Sequence, residues 1–533
     1  MAWSDEFKTA LQSGGPTPVF MLDFTHFAPP VTWSSGAAIL YSHGALGISS
    51  GAPFSIHERA HAIGERISVG AQSISLRSWN GQMGGMSVSL SGLDTARWVA
   101  NNIPRGDMAL LKVGFPGWDY SRWQTVSVGQ YRGLSGRLQD WTMEFVGVDG
   151  LLQSARPDAA TFVPLFANAG EKTATVSGGW SVGSALVVTD AAEAAAFEKD
   201  SASDGLIYCE PTTGDPFYVK WSSLSVGPSD TFTLRDRHVL GTTRVAMAAG
   251  DTVTNIGYVS DEPRDVIRRL LTSGASAPLT TYGTLPASWG YGLNRSLFNE
   301  DDLSRIASAP HIDATFVSDL IVPSAPDDPY STFQGWMRKL GYWLVWKEDG
   351  LSFRFAFNPT ASAADLSKHI AATITDTDVV SVDGFQLYAP DAPVEYQRYW
   401  ALTTGGAPVS ESPMATAPAV YAYRNGAESQ IFDEPTAAPS NRTNAYNALN
   451  ARLAIWYQRV PCTFEVTLRG WHFAGLVPGD YVRINSSMIP DLYSETGTID
   501  DRAYMVTASS INWAGMSTRV TLATIRDKST PTS

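Results

Sequence analysis

Cysteine is nearly absent: the 533-residue sequence has only Cys209 and Cys462, with eight histidines beside them. Two cysteines far apart exclude a disulfide framework and any four-cysteine zinc or iron–sulfur site within one chain, and leave room for one bridge at most. Basic residues are also scarce, with 38 Lys and Arg against 52 Asp and Glu and a formal net charge of −14. That balance lacks the electrostatic footprint needed to grip phosphates, so no sequence-specific nucleic-acid binding is expected, although an acidic channel lets nucleic acid slide without sticking. Long hydrophobic runs are missing, and no membrane span is expected. The opening MAWSDEFKTALQSGG places Asp5 and Glu6 where a secretory signal carries a basic head, so the chain is expected to be soluble when made in the cytoplasm.

What the sequence does hold is an ordinary apolar fraction of 44% and a length that suggests three or four domains. The prevailing texture is short, alternating, aromatic-rich runs between Gly, Pro, Asn and Asp, such as Met86 to Gly92, Met108 to Phe115, Trp141 to Val148, Phe217 to Trp221 and Leu351 to Phe357. This predicts a mainly β fold with some α. Helical periodicity appears from Asp261, read as a cap, through Pro263 to Gly274, and again in STFQGWMRKLG and over Asn444 to Val460. A hairpin is expected to turn at Glu348, Asp349 and Gly350.

Two distant stretches resemble one another. NIPRGDMALLKV leads into VSVGQYRG and WTMEFVGVDG near the front, and GLVPGDYVRIN leads into AYMVTASSINW and STRVTLATI near the end. Each copy has a Gly-Asp turn, Gly106-Asp107 or Gly479-Asp480, followed by three strands. Glycine takes a positive φ there and the aspartate bonds the local backbone. Strands so joined suit small closed or partly closed barrels. The expected organisation is two related barrels, 1–155 and 401–533, bracketing a β-rich insertion at 156–255 and a helix-plus-hairpin domain at 256–400.

Three motifs bear on chemistry. His57, Glu58 and His61 stand in H-E-x-x-H register, which on a helix brings two imidazoles to one Zn²⁺ and a carboxylate to its water. The frame argues against it. Arg59 lies inside the motif, Gly51 and Pro53 precede it, position 67 is Ile where one peptidase class has a third His, and in a strand the two His stand roughly 13 Å apart. No metal and no catalytic residue is therefore expected, with these three kept as the alternative set. Gly47 to Gly51 matches the G-x-S-x-G elbow but runs into Ala52-Pro53, a poor helix start, without the repeating βαβ units of a hydrolase sheet. Trp289, Trp336, Trp343 and Trp346 can stack on sugars, but their apolar surroundings predict core or interface anchors.

The front copy with its GLDTARWVANN stretch and Gln130 to Gly133 strand end, the middle pieces EPRDVIRRLLTSG, YGTLPASWGYGLN and STFQGWMRKLGYWLVWKEDGLSFRF, and the final copy occur in an order that resembles the tail hub proteins of tailed bacteriophages. The resemblance implies a structural virion protein at the tail tip or baseplate. It implies a homotrimer whose two barrels per chain match a threefold hub to a sixfold tail tube, with a distal tail protein, a tape-measure protein and a central fibre or spike as partners. Some members hold an iron–sulfur cluster near the C-terminus; Cys462 stands alone there, so no cofactor is expected. The stretch from Phe166 to Ala249 has no counterpart in the resemblance. Two other functions remain as alternatives, a virion-associated envelope hydrolase and a receptor- or glycan-binding β-module.

Overall fold

A computed structural model describes residues 3–13, 17–24, 39–42, 62–76, 79–137, 140–153, 166, 170–183, 185–188, 194–201, 203–227, 230–235, 238–239, 242–274, 282, 285–293, 295–307, 318–322, 328–348, 350–356, 369–386, 398–402, 408–413, 429–432, 461–490, 498–513 and 515–525. The chain is mainly β with few helices, as its texture predicts, and most strands pair antiparallel.

In the front part, strands β1 (Val19–Asp23), β2 (Ile39–Ser42), β3 (Ala62–Ile74), β4 (Gly81–Met83), β5 (Met86–Ser91), β6 (Met108–Gly114), β7 (Gln124–Arg137) and β8 (Asp140–Val146) follow one another. Hydrogen bonding runs β2-β1-β6-β7-β8-β5-β3 and returns to β2, which pairs parallel with β3 through Tyr41↔Ala62 and Ser42↔Ile63. The circuit therefore closes on itself, and an edge stays unpaired only where a strand outruns its neighbour, as β7 does beyond its pairing with β6. Alternation builds its inside: in β8, Met143 and Phe145 are buried while Glu144 is exposed. Leu22, Val88, Leu111, Val113, Met143 and Phe145 share one core, each contributing about 1.5–3 kcal/mol by burial. The helix Asp5–Gln12 joins that core because the Ser4 hydroxyl accepts from the Phe7 N–H at its start, and Phe7 and Leu11, one turn apart, both face inward.

The insertion is a seven-stranded sheet. Its path is β10 (Ala185–Val188), β13 (Asp230–Arg235), β12 (Phe217–Ser225), β11 (Gly205–Glu210), β16 (Thr252–Asp261) and β17 (Ser318–Val322), with β9 (Thr173–Thr175) also on β16. A two-stranded ladder of β14 (His238–Val239) and β15 (Thr242–Thr243) lies beside it. The expected divide at 255 falls inside β16, which pairs with β11 and β9 on one stretch and β17 on the next.

The middle contains the helices Pro263–Thr272, Glu300–Ala307 and Pro329–Lys339 and the hairpin of β18 (Tyr342–Lys347) and β19 (Gly350–Phe355). Every residue of that hairpin's two strands is buried. The first of these helices starts differently from its expected cap. Its N-cap is Glu262, not Asp261, whose carboxylate instead accepts from the Glu262 N–H at 2.9 Å and from Arg269 at 3.1 Å. The Phe333-containing helix starts earlier than its motif, because Pro329 follows Asp328, whose carboxylate caps the Ser331 N–H at 3.0 Å.

At the end of the chain, hydrogen bonding runs β20 (Ile370–Thr375), β26 (Tyr481–Pro490), β27 (Thr498–Asn512), β28 (Ser517–Ile525), β25 (Pro461–Arg469) and β21 (Val379–Gln386). Its two outermost strands are consecutive in the chain, joined by residues 376–378, so the sheet curls until its edges approach at one end. β20 and β21 thus belong by pairing to the sheet of the final copy, on the far side of the expected divide at 400. A separate sheet holds β22 (Arg398–Leu402), β23 (Pro408–Pro413) and β24 (Ser429–Phe432). The front circuit closes and the rear sheet is a half-barrel among the described residues. The helix expected over 444–460 lies outside the described residues.

Candidate assembly site: twin turns and their seam

The two Gly-Asp turns have the same geometry. In each, the aspartate N–H donates to the carbonyl three residues back, Asp107 to Pro104 at 3.3 Å and Asp480 to Val477 at 3.0 Å. Gly106 and Gly479 hold φ of +99° and +98°, where an L side chain costs about 1–2 kcal/mol. The Gly106 N–H donates to the Tyr131 carbonyl and the Tyr131 N–H to the Asp107 carbonyl, at 2.8 and 2.7 Å. At the rear, Gly479 donates to Val506 and Val506 to Asp480, both at 2.8 Å.

The match extends along the strands. Just past the bonded residue each long strand slips by one: Tyr131 faces Phe145 but Gly133 faces Glu144, and Val506 faces Leu522 but Ala508 faces Thr521. These equivalences superpose Met86 on Phe464, since they face Phe145 and Leu522. The outer strands then agree as well, with Ile67↔Val88 and Ile63↔Leu90 in front and Val382↔Val466 and Val379↔Leu468 behind, each irregular between those rungs. Gly92 and Gly470, directly after β5 and β25, have φ of +82° and +83°. A bulge is a positional feature of a family of strands, and its recurrence at one rung marks a repeated unit rather than a common turn. The copies differ in what fills the gap before the turn, the helix Gly92–Asn102 in front and a short run after Gly470 behind.

A seam joins the copies. The far half of β27 pairs antiparallel with β3 through Ala508↔Ser73, Ser509↔Gln72 and Ile511↔Val69, so the two sheets are one continuous ladder. Side chains cross with it. Trp471, Ala474 and Trp513 lie in the front core, Trp471 Nε1 donates to the Trp513 carbonyl at 3.0 Å, and Phe20 meets Trp513 edge-on at 5.8 Å. Gln72 also binds the inserted hairpin: its amide donates to the Trp346 carbonyl at 2.8 Å and accepts from the Trp346 N–H at 2.7 Å.

The rear turn carries a charge cluster that the sequence reading missed. Asp480 accepts from Lys347 Nζ at 2.6 Å on one oxygen and from Arg354 Nε and Nη2 at 3.2 and 3.0 Å on the other. Arg354 Nη1 reaches Asp302 at 2.6 Å, and the Ser352 hydroxyl donates to the same carboxylate at 2.6 Å. Lys347 also donates to the Gly475 carbonyl at 2.6 Å. Two cations thus face two carboxylates, all buried. Burial opposes the charge on Asp480, yet Lys347 and Arg354 hold its carboxyl below the ordinary 3.8. Burial likewise acts against Arg354, and Asp302 and Asp480 outweigh it, so the guanidinium pKa is raised. The cluster pins the hairpin and the helix Glu300–Ala307 onto the rear turn. Trp343 Nε1 adds a bond to the Pro478 carbonyl at 3.1 Å, and a Cβ on Gly479 would stand 2.7 Å from Trp343 and 2.8 Å from Arg354. The hairpin tip reaches the front copy, where Glu348 accepts from the Trp3 N–H at 2.8 Å and pairs with Lys8 at 3.1 Å.

Of the residues singled out in the sequence, Gly106, Asp107, Gly479 and Asp480 are brought to equivalent places. His57, Glu58, His61 and the Gly47 to Gly51 elbow lie outside the described residues. Among the described residues no group of three His, Cys, Asp or Glu is placed to hold a metal, and no helix is long and apolar enough to cross a membrane. Trp289, Trp336, Trp343 and Trp346 are buried, with Trp343 stacked on Trp79 at 5.8 Å. Cys209 and Cys462 lie in different cores and form no bridge. Lys347 and Arg354 had a signal that went unread: each is the one charged residue in its strand, YWLVWK or GLSFRF.

The sequence matches no protein-family model and no curated protein. Among solved structures the chain is similar to the 43 kDa tail protein of prophage MuSo2 from Shewanella oneidensis, 10% identical over 86% of this chain and 95% of that one, with a TM-score of 0.30. It is also similar to prophage tail protein gp18 from Listeria monocytogenes EGD-e, 10% identical over 96% of each chain, TM-score 0.34. A chain in the virion of a native gene transfer agent particle is 16% identical over 47% of this chain and 84% of that one, TM-score 0.18.

Proposed function

We propose that this chain is a structural, non-enzymatic component of a phage tail hub. Three copies form a ring in which two barrel units per chain give six near-equivalent surfaces, matching a sixfold tail tube above to a threefold fibre or spike below. The supporting observation is the repetition of turn, bulge and register in the two copies, joined in one chain by a continuous ladder. A repeated unit joined head to tail is the geometry that closes into a ring when the rotation per unit divides a full turn. The order of sequence pieces that resembles tail hubs gives the ring its place, and the net charge of −14 suits a channel that passes DNA without retaining it. On this reading the rear half-barrel completes its wall in the assembled ring.

Sedimentation and light scattering of the purified chain test this. The expected particle has three times the 57.5 kDa chain mass. A monomer at micromolar concentration, or a ring with another number of copies, contradicts it.

A further inference from the structure

The seam within the chain has an unused equivalent at each end. β3, which takes β27 along one edge, corresponds to β21; the far half of β27 corresponds to residues 133–137 of β7. Among the described residues, β21 pairs only with β25, and residues 133–137 only with β8. An unpaired strand edge offers a row of backbone donors and acceptors to another strand. We infer that β21 of one copy adds antiparallel to the far half of β7 in the next copy, repeating between chains the β3–β27 seam that the fold already builds within one. This rests on the ring reading above and specifies which edges meet.

Three features favour a second copy as the occupant. The first is the internal seam, which shows that these strand types pair in this fold. The second is charge. Transferring the register Ile511↔Val69 to the equivalent rungs places Gly136 opposite Gly384–Phe385 and Arg137 beside Asp383, an exposed cation and an exposed carboxylate. The third is preorganisation of the two edges. Phe385 stacks on Phe464 at 4.7 Å and holds β21 against its sheet. On β7 the Arg105 side chain donates to the Arg132 carbonyl at 2.5 Å, so the open stretch begins at Gly133. The contact is heterologous, using different patches on the two partners, and so propagates around an axis until the ring closes.

Cysteine cross-linking tests the register, and both native cysteines are buried. Arg137→Cys with Asp383→Cys in one chain is expected to give a covalent ring of three on mild oxidation. Neither single variant is expected to cross-link, because the contact is head to tail. A threefold particle that forms but yields no covalent trimer overturns this pairing and leaves the ring standing; a particle that is not threefold removes both. Independently, Arg137→Glu is expected to weaken assembly roughly fivefold per contact, and adding Asp383→Lys to restore it. Weakening that the second change fails to restore contradicts the pairing.

Discussion

The front and rear copies share a turn, a bulge and a strand register, and differ in how their sheets end and in what their turns hold. In front, the turn leads into a circuit that β2 closes. Behind, the same turn is the anchor for an inserted hairpin, through Asp480, Lys347 and Arg354, and the sheet around it stays open between β20 and β21. Turn, bulge and register are therefore the repeated elements, and sheet closure and the side chains at the turn are where the copies differ. The front copy offers only the far half of β7 beyond its closed circuit; the rear copy offers the whole length of β21.

Several substitutions sharpen that contrast. The largest effect is expected from Arg354→Met, which leaves Asp302 and Asp480 buried without their shared cation and costs about 3–5 kcal/mol. Urea unfolding reads it, and a loss below about 1 kcal/mol would mean that the cluster does not hold the hairpin to the turn. Next, Gly106→Ala and Gly479→Ala meet the same backbone strain, about 1–2 kcal/mol. Gly479→Ala adds overpacking against Trp343 and Arg354, a further 1–3 kcal/mol or so. Equal losses would remove the distinction between the turns. Gln72→Ala unbonds the Trp346 N–H and carbonyl at the seam and is expected to cost about 2 kcal/mol, with hydrogen exchange rising at Trp346 and in the far half of β27. Protection unchanged at both would show that the seam stands without Gln72.

The smallest expected effect is a pH dependence of opposite sign at two aspartates. The depressed pKa of Asp480 contributes stability that is present above its ordinary 3.8 and lost as pH falls through the lower folded value. At Asp149 burial raises the pKa, against hydrogen bonds from Tyr330 and the Met83 N–H. Its folded form holds the proton longer, so its contribution is present below 3.8 and fades as pH rises through the raised value. Asp149→Asn is expected to flatten the loss on the rising side and leave the acid limb intact. An acid limb that vanishes with this change would assign both effects to one group.

The sequence made the local elements legible because their signals are local. Alternation located β5, β6, β8 and β19 nearly to the residue, and Glu348 to Gly350 marked the hairpin turn. The Gly-Asp pairs were found as turns and as a duplication, since a positive φ and an aspartate leave a compositional trace. Strand order was not legible: β20 and β21 pair with strands about a hundred residues away, and nothing in IAATIT or VVSVDGFQ names those partners. The role of Asp480 as a charge anchor was hidden for the same reason, because Lys347 and Arg354 reach it only through tertiary packing. Asp261 was misread as a helix cap because the Glu262 N–H and Arg269, about two turns along the helix, take its carboxylate.

Cryo-electron microscopy of the purified particle tests the repeated unit most directly. The account predicts averages that look sixfold at low resolution and threefold once side chains separate the copies, with the two Gly-Asp turns at equal radius and height. Averages in which those turns lie at different radii, or a particle without a threefold axis, would contradict it.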